Sequence, residues 1–145
     1  MLTILLVEDD PHQQLWLSEE LEDEGYRVLI ASDSRAALQT VRSHLIDLAV
    51  VDLVLPDSHG PGLLQDLLMA RPRLPVIIHT AYPAYRDDFQ CWSADRYLIK
   101  SSNPEPLKDA IRDVLRGRRA ASSDSGNCSL ACIEITARDT ALAMR

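Results

Sequence analysis

Five polar residues in this sequence stand where short apolar runs stop. Glu8 and Asp9 follow Leu2–Val7, Asp52 follows Leu48–Val51, Thr80 comes just after Val76–Ile78, and Lys100 follows Tyr97–Ile99. If those runs are strands of one sheet, three carboxylates meet in a small volume. Two like charges 4 Å apart repel by about 4 kcal/mol at an effective dielectric of ~20. Such a cluster demands a cation. Donors that are all oxygen point to Mg²⁺, which keeps several of its waters.

The elements that must position these groups are readable in the pattern. Leu2–Val7, Tyr26–Ala31, Leu48–Val51, Val76–Ile78 and Tyr97–Ile99 are strand-sized, and most are apolar throughout, as in a parallel sheet covered on both faces. Between them lie helices with recognisable ends. Asp10-Pro11 reads as an N-cap and first helical residue, and Gly25 as the stop. In that helix Leu15, Trp16, Leu17 and Leu21 form the apolar side, and Glu19, Glu20, Glu22, Asp23 and Glu24 read as a solvated face. Further helices are expected from about Asp33 to His44, from Gly60-Pro61 to Arg71, and from Asn103-Pro104 to a stop at Gly117. Alternation calls for one more over Tyr85–Trp92, made short by Asp87, Asp88 and the adjacent Pro83. The pattern βαβαβαβαβα predicts an α/β fold: a flavodoxin-like, doubly wound, five-stranded parallel sheet of order 2-1-3-4-5 with helices on both faces. Ligands of such sheets bind beyond the carboxyl ends of the strands, where the five polar residues stand.

Composition narrows the class. The chain has 145 residues and a formal charge of −7. Residues 119–145 hold Arg119, Arg138 and Arg145 against Asp124, Glu134 and Asp139, so the whole deficit belongs to residues 1–118. That acidity argues against nucleic-acid binding or attraction to an acidic membrane through charge. No apolar run approaches the ~20 residues of a membrane helix, and the N-terminus lacks a basic leader. Three cysteines are too few and odd in number for a disulfide framework, which favours a cytoplasmic location. Ala120–Ser129 has linker composition. The expected division is a folded domain over 1–118 and a flexible tail over 119–145 that could lead to an output domain. His79 reads as a core histidine, His59 as an exposed loop residue, and Asp57 as a turn residue within Pro56–Gly60. No zinc cluster forms from these with His12 or His44, and Cys128 and Cys132 read as plain thiols.

The segments ILLVEDDP (4–11), AVVDLVLPD (49–57), HTA (79–81) and YLIK (97–100) together resemble the receiver domain of two-component response regulators. The resemblance covers residues 1 to about 118. It implies that Asp52 is the phosphoacceptor, taking a phosphoryl group from a partner histidine kinase or phosphotransfer protein. It implies a Mg²⁺ site made of Glu8, Asp9, Asp52 and the backbone carbonyl of Val54, with Lys100 sharing the catalysis. Thr80 would be the switch hydroxyl and Tyr97 the aromatic that rotates behind it. Ala81 would leave the phosphoryl path open, flanked by Val54 and Tyr82. Such a protein is no conventional enzyme: it catalyses its own phosphorylation and slow dephosphorylation. It would signal to a downstream protein or a fused output domain, and a homodimer could form through the face of the fourth helix, fifth strand and last helix.

The chain departs from that family pattern in three places. Ser101 stands where proline usually follows the active-site lysine, which leaves the Lys100–Ser101 bond open as cis or trans. Thr80 to Tyr97 spans fewer residues than usual, consistent with a reduced fourth helix. Val54 and Tyr82, two residues after Asp52 and Thr80, are poorly suited to orient an attacking water, which predicts a long-lived aspartyl-phosphate. Other classes fit less well. A phosphatase of the haloacid dehalogenase type would want an acid at Val54, and a flavin module would not want Glu8-Asp9-Asp10 facing its phosphate. A receiver used only for docking, never phosphorylated, remains the main alternative.

Overall fold

The computed structural model describes residues 1–59, 62–83 and 93–123, with the side chains of Ser58, His59 and 118–123 excepted. The elements run β1 (Thr3–Val7), α1 (Pro11–Asp23), β2 (Arg27–Ala31), α2 (Ser34–Ser43), β3 (Leu48–Val51), β4 (Val54–Leu55), β5 (Ser58–His59), α3 (Gly62–Ala70), β6 (Val76–Thr80), β7 (Arg96–Ile99) and α4 (Glu105–Ser123). The main sheet is parallel in the order β2-β1-β3-β6-β7, which is the expected 2-1-3-4-5 of its five strands. β4 and β5 form a separate two-residue hairpin. The helix expected over Tyr85–Trp92, and with it much of the proposed dimer face, lies outside the described residues.

The continuous apolar character of β1, β3 and β6 follows from burial on both faces. Leu5, Val7, Ala49, Val51, Val76 and Ile78 point to one side, where Ala37 and Val41 of α2 and Leu63, Leu64 and Leu67 of α3 cover them. Ile4, Leu6, Leu48, Val50 and Ile77 point to the other, under Leu17 and Leu21 of α1 and Leu107, Ile111, Val114 and Leu115 of α4. Side chains alternate across a strand, so each strand serves both layers. Each valine, leucine or isoleucine among them that is fully withdrawn from water contributes about 1.5–3 kcal/mol, and this burial is what fixes the register.

Local signals set the helix ends. Asp10 accepts from the His12 backbone N–H at 2.9 Å, ahead of Pro11. Asp33 caps α2 through the Ala36 N–H at 2.8 Å. Gly25 stops α1 at φ 95°, a left-handed conformation that a side chain resists.

Three expectations are corrected. Leu15 is 61% exposed, and the buried positions of α1 are Leu17, Ser18 and Leu21. The acidic face of α1 is not wholly solvated: Glu20 lies 2.7 Å from the buried Lys108 ammonium, and Glu24 lies 2.6 Å from Arg112. These pairs clamp α1 to α4 beside the shared apolar layer. Finally, α4 does not stop at Gly117 but continues to Ser123, taking in residues that composition placed in the tail. A single glycine costs a helix only ~1 kcal/mol relative to alanine, and here Arg116, Arg118, Arg119, Ala120 and Ala121 around it favour continuation. Among the described residues, no helix is long and apolar enough to cross a membrane.

Candidate functional site

Strand register brings the polar residues together. Val7 pairs with Val51, and the Asp52 N–H donates to the Val7 carbonyl at 3.1 Å, so Glu8 and Asp52 leave adjacent strands at the same level. On the other side Thr80 pairs with Ile99, and the Lys100 N–H donates to the Thr80 carbonyl at 2.8 Å. Four strands thus deliver Glu8, Asp52, Thr80 and Lys100 to one edge of the sheet.

The side chains converge. Lys100 Nζ lies 2.5 Å from Glu8 Oε1 and 2.7 Å from Asp52 Oδ2, bridging the two carboxylates. Glu8 and Asp52 are buried, whereas Asp9 is exposed. One carboxylate oxygen from each of Glu8, Asp9 and Asp52 lies within 4.8 Å of the others. These three acids are a group that could hold a metal ion, and an all-oxygen donor set at this spacing fits a hard divalent cation. The Val54 N–H donates to Asp52 Oδ1 at 3.1 Å, which turns the acid toward the cluster.

The electrostatics follow from burial and from the bridge. Burial pushes the Glu8 carboxyl up, with the neighbouring Asp52 charge adding to it; the hydrogen bond and charge of Lys100 and the Asp10 N–H pull the other way. Burial works against the Lys100 ammonium, but its hydrogen bonds to Asp52 and Glu8 outweigh that and raise its pKa, so it stays charged. His79 is buried on β6, and desolvation together with the Lys100 charge lowers its pKa to about 4, Asp52 opposing. It is a neutral core histidine, as its place in an apolar strand suggests.

A family model of the response regulator receiver domain matches residues 4–112. The chain belongs to that family. PhoP, the virulence transcriptional regulatory protein of Salmonella typhi, is 30% identical over 141 residues, covering 96% of this chain and 63% of PhoP. The receiver chain therefore spans less than two thirds of that relative. The response regulator TrrA of Thermotoga maritima, solved in complex with Mg(2+)-BeF, is 33% identical at a TM-score of 0.76 over 79% of this chain and 99% of TrrA. TrrA solved with the histidine kinase ThkA matches at 34% identity and a TM-score of 0.75, over 79% and 99% of the two chains.

The other residues singled out in the sequence fall around this receiver site. Thr80 is fully buried at the end of β6, and its Oγ1 accepts from the Tyr82 N–H at 3.4 Å. The Tyr97 hydroxyl donates to the Tyr82 carbonyl at 2.6 Å, tying β7 to the segment after Thr80. Ala81 is exposed beside Thr80, and Tyr82 is 50% exposed. Among the described residues no peptide bond is cis, so Lys100–Ser101 is trans. Ser101 Oγ instead forms a turn, accepting from the Asn103 N–H at 3.2 Å ahead of α4.

Two contacts were not anticipated. Asp57, read as a turn residue, accepts from the Ser34 N–H at 3.0 Å, the Ser34 hydroxyl at 2.7 Å and the Arg35 N–H at 3.3 Å, and so caps α2 from across the chain. The Gln14 amide donates to the Glu8 carbonyl at 2.6 Å and to Ser32 Oγ at 3.0 Å. Asp57 and Ser34 are 23 residues apart and Gln14 and Ser32 are 18 apart, so neither residue carries a local signal of that partner.

Proposed function

We propose that the chain accepts a phosphoryl group on Asp52 from a histidine kinase or phosphotransfer protein. An Asp52 carboxylate oxygen would form the new bond to phosphorus as the phosphorus–nitrogen bond of the donor phosphohistidine breaks, and the imidazole leaves with the electron pair. The observation that carries this reading is the Asp52 carboxylate, held 2.7 Å from the Lys100 ammonium, with Thr80 one residue beyond its level on the neighbouring strand β6 at the same edge of the sheet. Glu8, Asp9 and Asp52, with the Val54 carbonyl, would hold Mg²⁺. Bound there, the ion would supply neutralisation of the phosphoryl oxygens. Lys100, already between two acids, would meet the incoming negative charge without reorganising.

Thr80 would then turn its hydroxyl to the phosphoryl group, and Tyr97 would respond through the Tyr82 carbonyl it already holds. A charge of nearly −2 added at this edge can bias such a two-state surface. The receiver unit would be residues 1–118, with 119–145 leading to the target or output domain. The complexes of TrrA with Mg(2+)-BeF and with ThkA support the metal and the class of partner. The test is incubation with acetyl phosphate and Mg²⁺, read by intact mass. Wild type should gain one phosphoryl group and Asp52→Asn none; no gain by wild type would refute phosphorylation as the function.

A further inference from the structure

Metal sites depend on what holds the ligands as well as on the ligands themselves. Glu8 and Asp9 sit on the short connection between β1 and α1, and three hydrogen bonds at Glu8 bear on its shape. The Glu8 N–H donates to the Ala31 carbonyl at 3.0 Å, and the Asp10 N–H donates to Glu8 Oε2 at 3.2 Å. The third is the Gln14 amide, which bonds the Glu8 carbonyl at 2.6 Å and reaches on to Ser32 Oγ at 3.0 Å. The first fixes where the chain leaves the sheet, and the second is internal to the acidic pair. Among the described residues, only the third engages the peptide between Glu8 and Asp9, whose rotation would swing the exposed Asp9 carboxylate away from the two buried ones.

We infer that Gln14 is a positioning residue for the cation site, its side-chain amide orienting the Glu8–Asp9 peptide so that the Asp9 carboxylate stays within reach of Glu8 and Asp52. Both amide hydrogens are used, one on the acidic loop and one on Ser32 just beyond β2, so the loop is referenced to the neighbouring strand of the sheet. Helix α1 holds Gln14 itself in place, since its N–H donates to the Asp10 carbonyl at 2.9 Å. A carbonyl pinned in this way needs no movement when a cation arrives. Without the amide, the loop must be ordered at the moment of binding, and affinity falls. Removing a group that orients a ligand typically weakens metal binding 10–100-fold. Gln14 acts on a ligand's peptide and not on its carboxylate, so roughly the lower end of that range is expected.

This inference rests on the proposed Mg²⁺ site, and the test separates the two. Mg²⁺ binding is measured by titration calorimetry on the whole chain as wild type, Gln14→Met and Ser32→Ala, together with thermal melting and amide exchange without metal. Wild type should bind Mg²⁺; if it does not, the site reading fails before Gln14 is at issue. With wild type binding, Gln14→Met should raise Kd about tenfold and speed exchange at the Asp9 and Asp10 amides, with its melt close to wild type. Ser32→Ala, which keeps the bond to Glu8, should weaken binding by a smaller factor. Phosphorylation by acetyl phosphate should slow at limiting Mg²⁺ in Gln14→Met and recover at saturating Mg²⁺. An unchanged Kd in a folded Gln14→Met would overturn the inference. So would a rate loss that saturating Mg²⁺ fails to repair.

Discussion

Replacing Lys100 by methionine keeps the length of the side chain and removes the charge between two buried acids. Each ion contact, at 2.5 and 2.7 Å, corresponds to roughly 6 kcal/mol of attraction at an effective dielectric of ~20. Much of that is offset in the native protein by withdrawing the ammonium and both carboxylates from water. Removing the ammonium returns only its own share, and leaves Glu8 and Asp52 buried, unpaired and repelling each other. Breaking a buried pair from one side typically destabilises by ~3–5 kcal/mol. With a urea slope of about 1–3 kcal/mol per molar, the midpoint of unfolding should fall by roughly 2 M near pH 7 in chelator. Loss of Lys100 also removes the influence that holds the Glu8 pKa down, so the Glu8 carboxyl, already raised by burial, rises further above its unfolded value. The penalty is then fully present above that raised value and fades as pH falls through it, because the buried acid takes up a proton. The gap between variant and wild type should therefore narrow on going to about pH 5. Mg²⁺ should narrow it as well, by supplying the missing positive charge. A midpoint shift below roughly 0.5 M, or a gap that widens with acid, would refute the reasoning.

Other outcomes are expected. His79 is held near a pKa of about 4 in the fold against 6.5 as a free side chain, so the unfolded chain binds its proton first and stability falls with pH through that window, by roughly 3 kcal/mol at the limit; His79→Gln should flatten the pH–stability curve there, and parallel curves would contradict it. The side chains of Val54 and Tyr82 offer little to orient a water, so the phosphorylated protein should persist for minutes or longer by intact mass; decay in seconds would show that another group performs that task. Asp57→Ala should speed amide exchange at Ser34 and Arg35 while the Asp33 cap keeps Ala36 protected, and unchanged exchange at all three would show the Asp57 contacts to be idle. The hydrogen bonds from Ser34 hold the Asp57 carboxyl below its usual pKa, so this cap should fail only as pH falls through that lowered value.

What the sequence determined by itself was everything that depends on neighbours along the chain. The runs at Leu2–Val7 and Leu48–Val51 announced strands buried on both faces, Asp10-Pro11 and Gly25 bounded α1, and alternation of the two periods set the fold class. Because parallel strands with right-handed crossovers end on one side, Glu8, Asp52, Thr80 and Lys100 could be placed at one edge without coordinates. The tertiary structure decided what depends on register and crossing helices. It placed Lys100 between Glu8 and Asp52, turned Leu15 outward, and paired Glu20 and Glu24 with Lys108 and Arg112. It made Asp57 a cap for α2. Gln14 and Ser32 are 18 residues apart, and Asp52 and Lys100 are 48 apart. Hydrophobic periodicity reports which face of an element is buried, whereas the partner of a polar side chain is set by where another element happens to end.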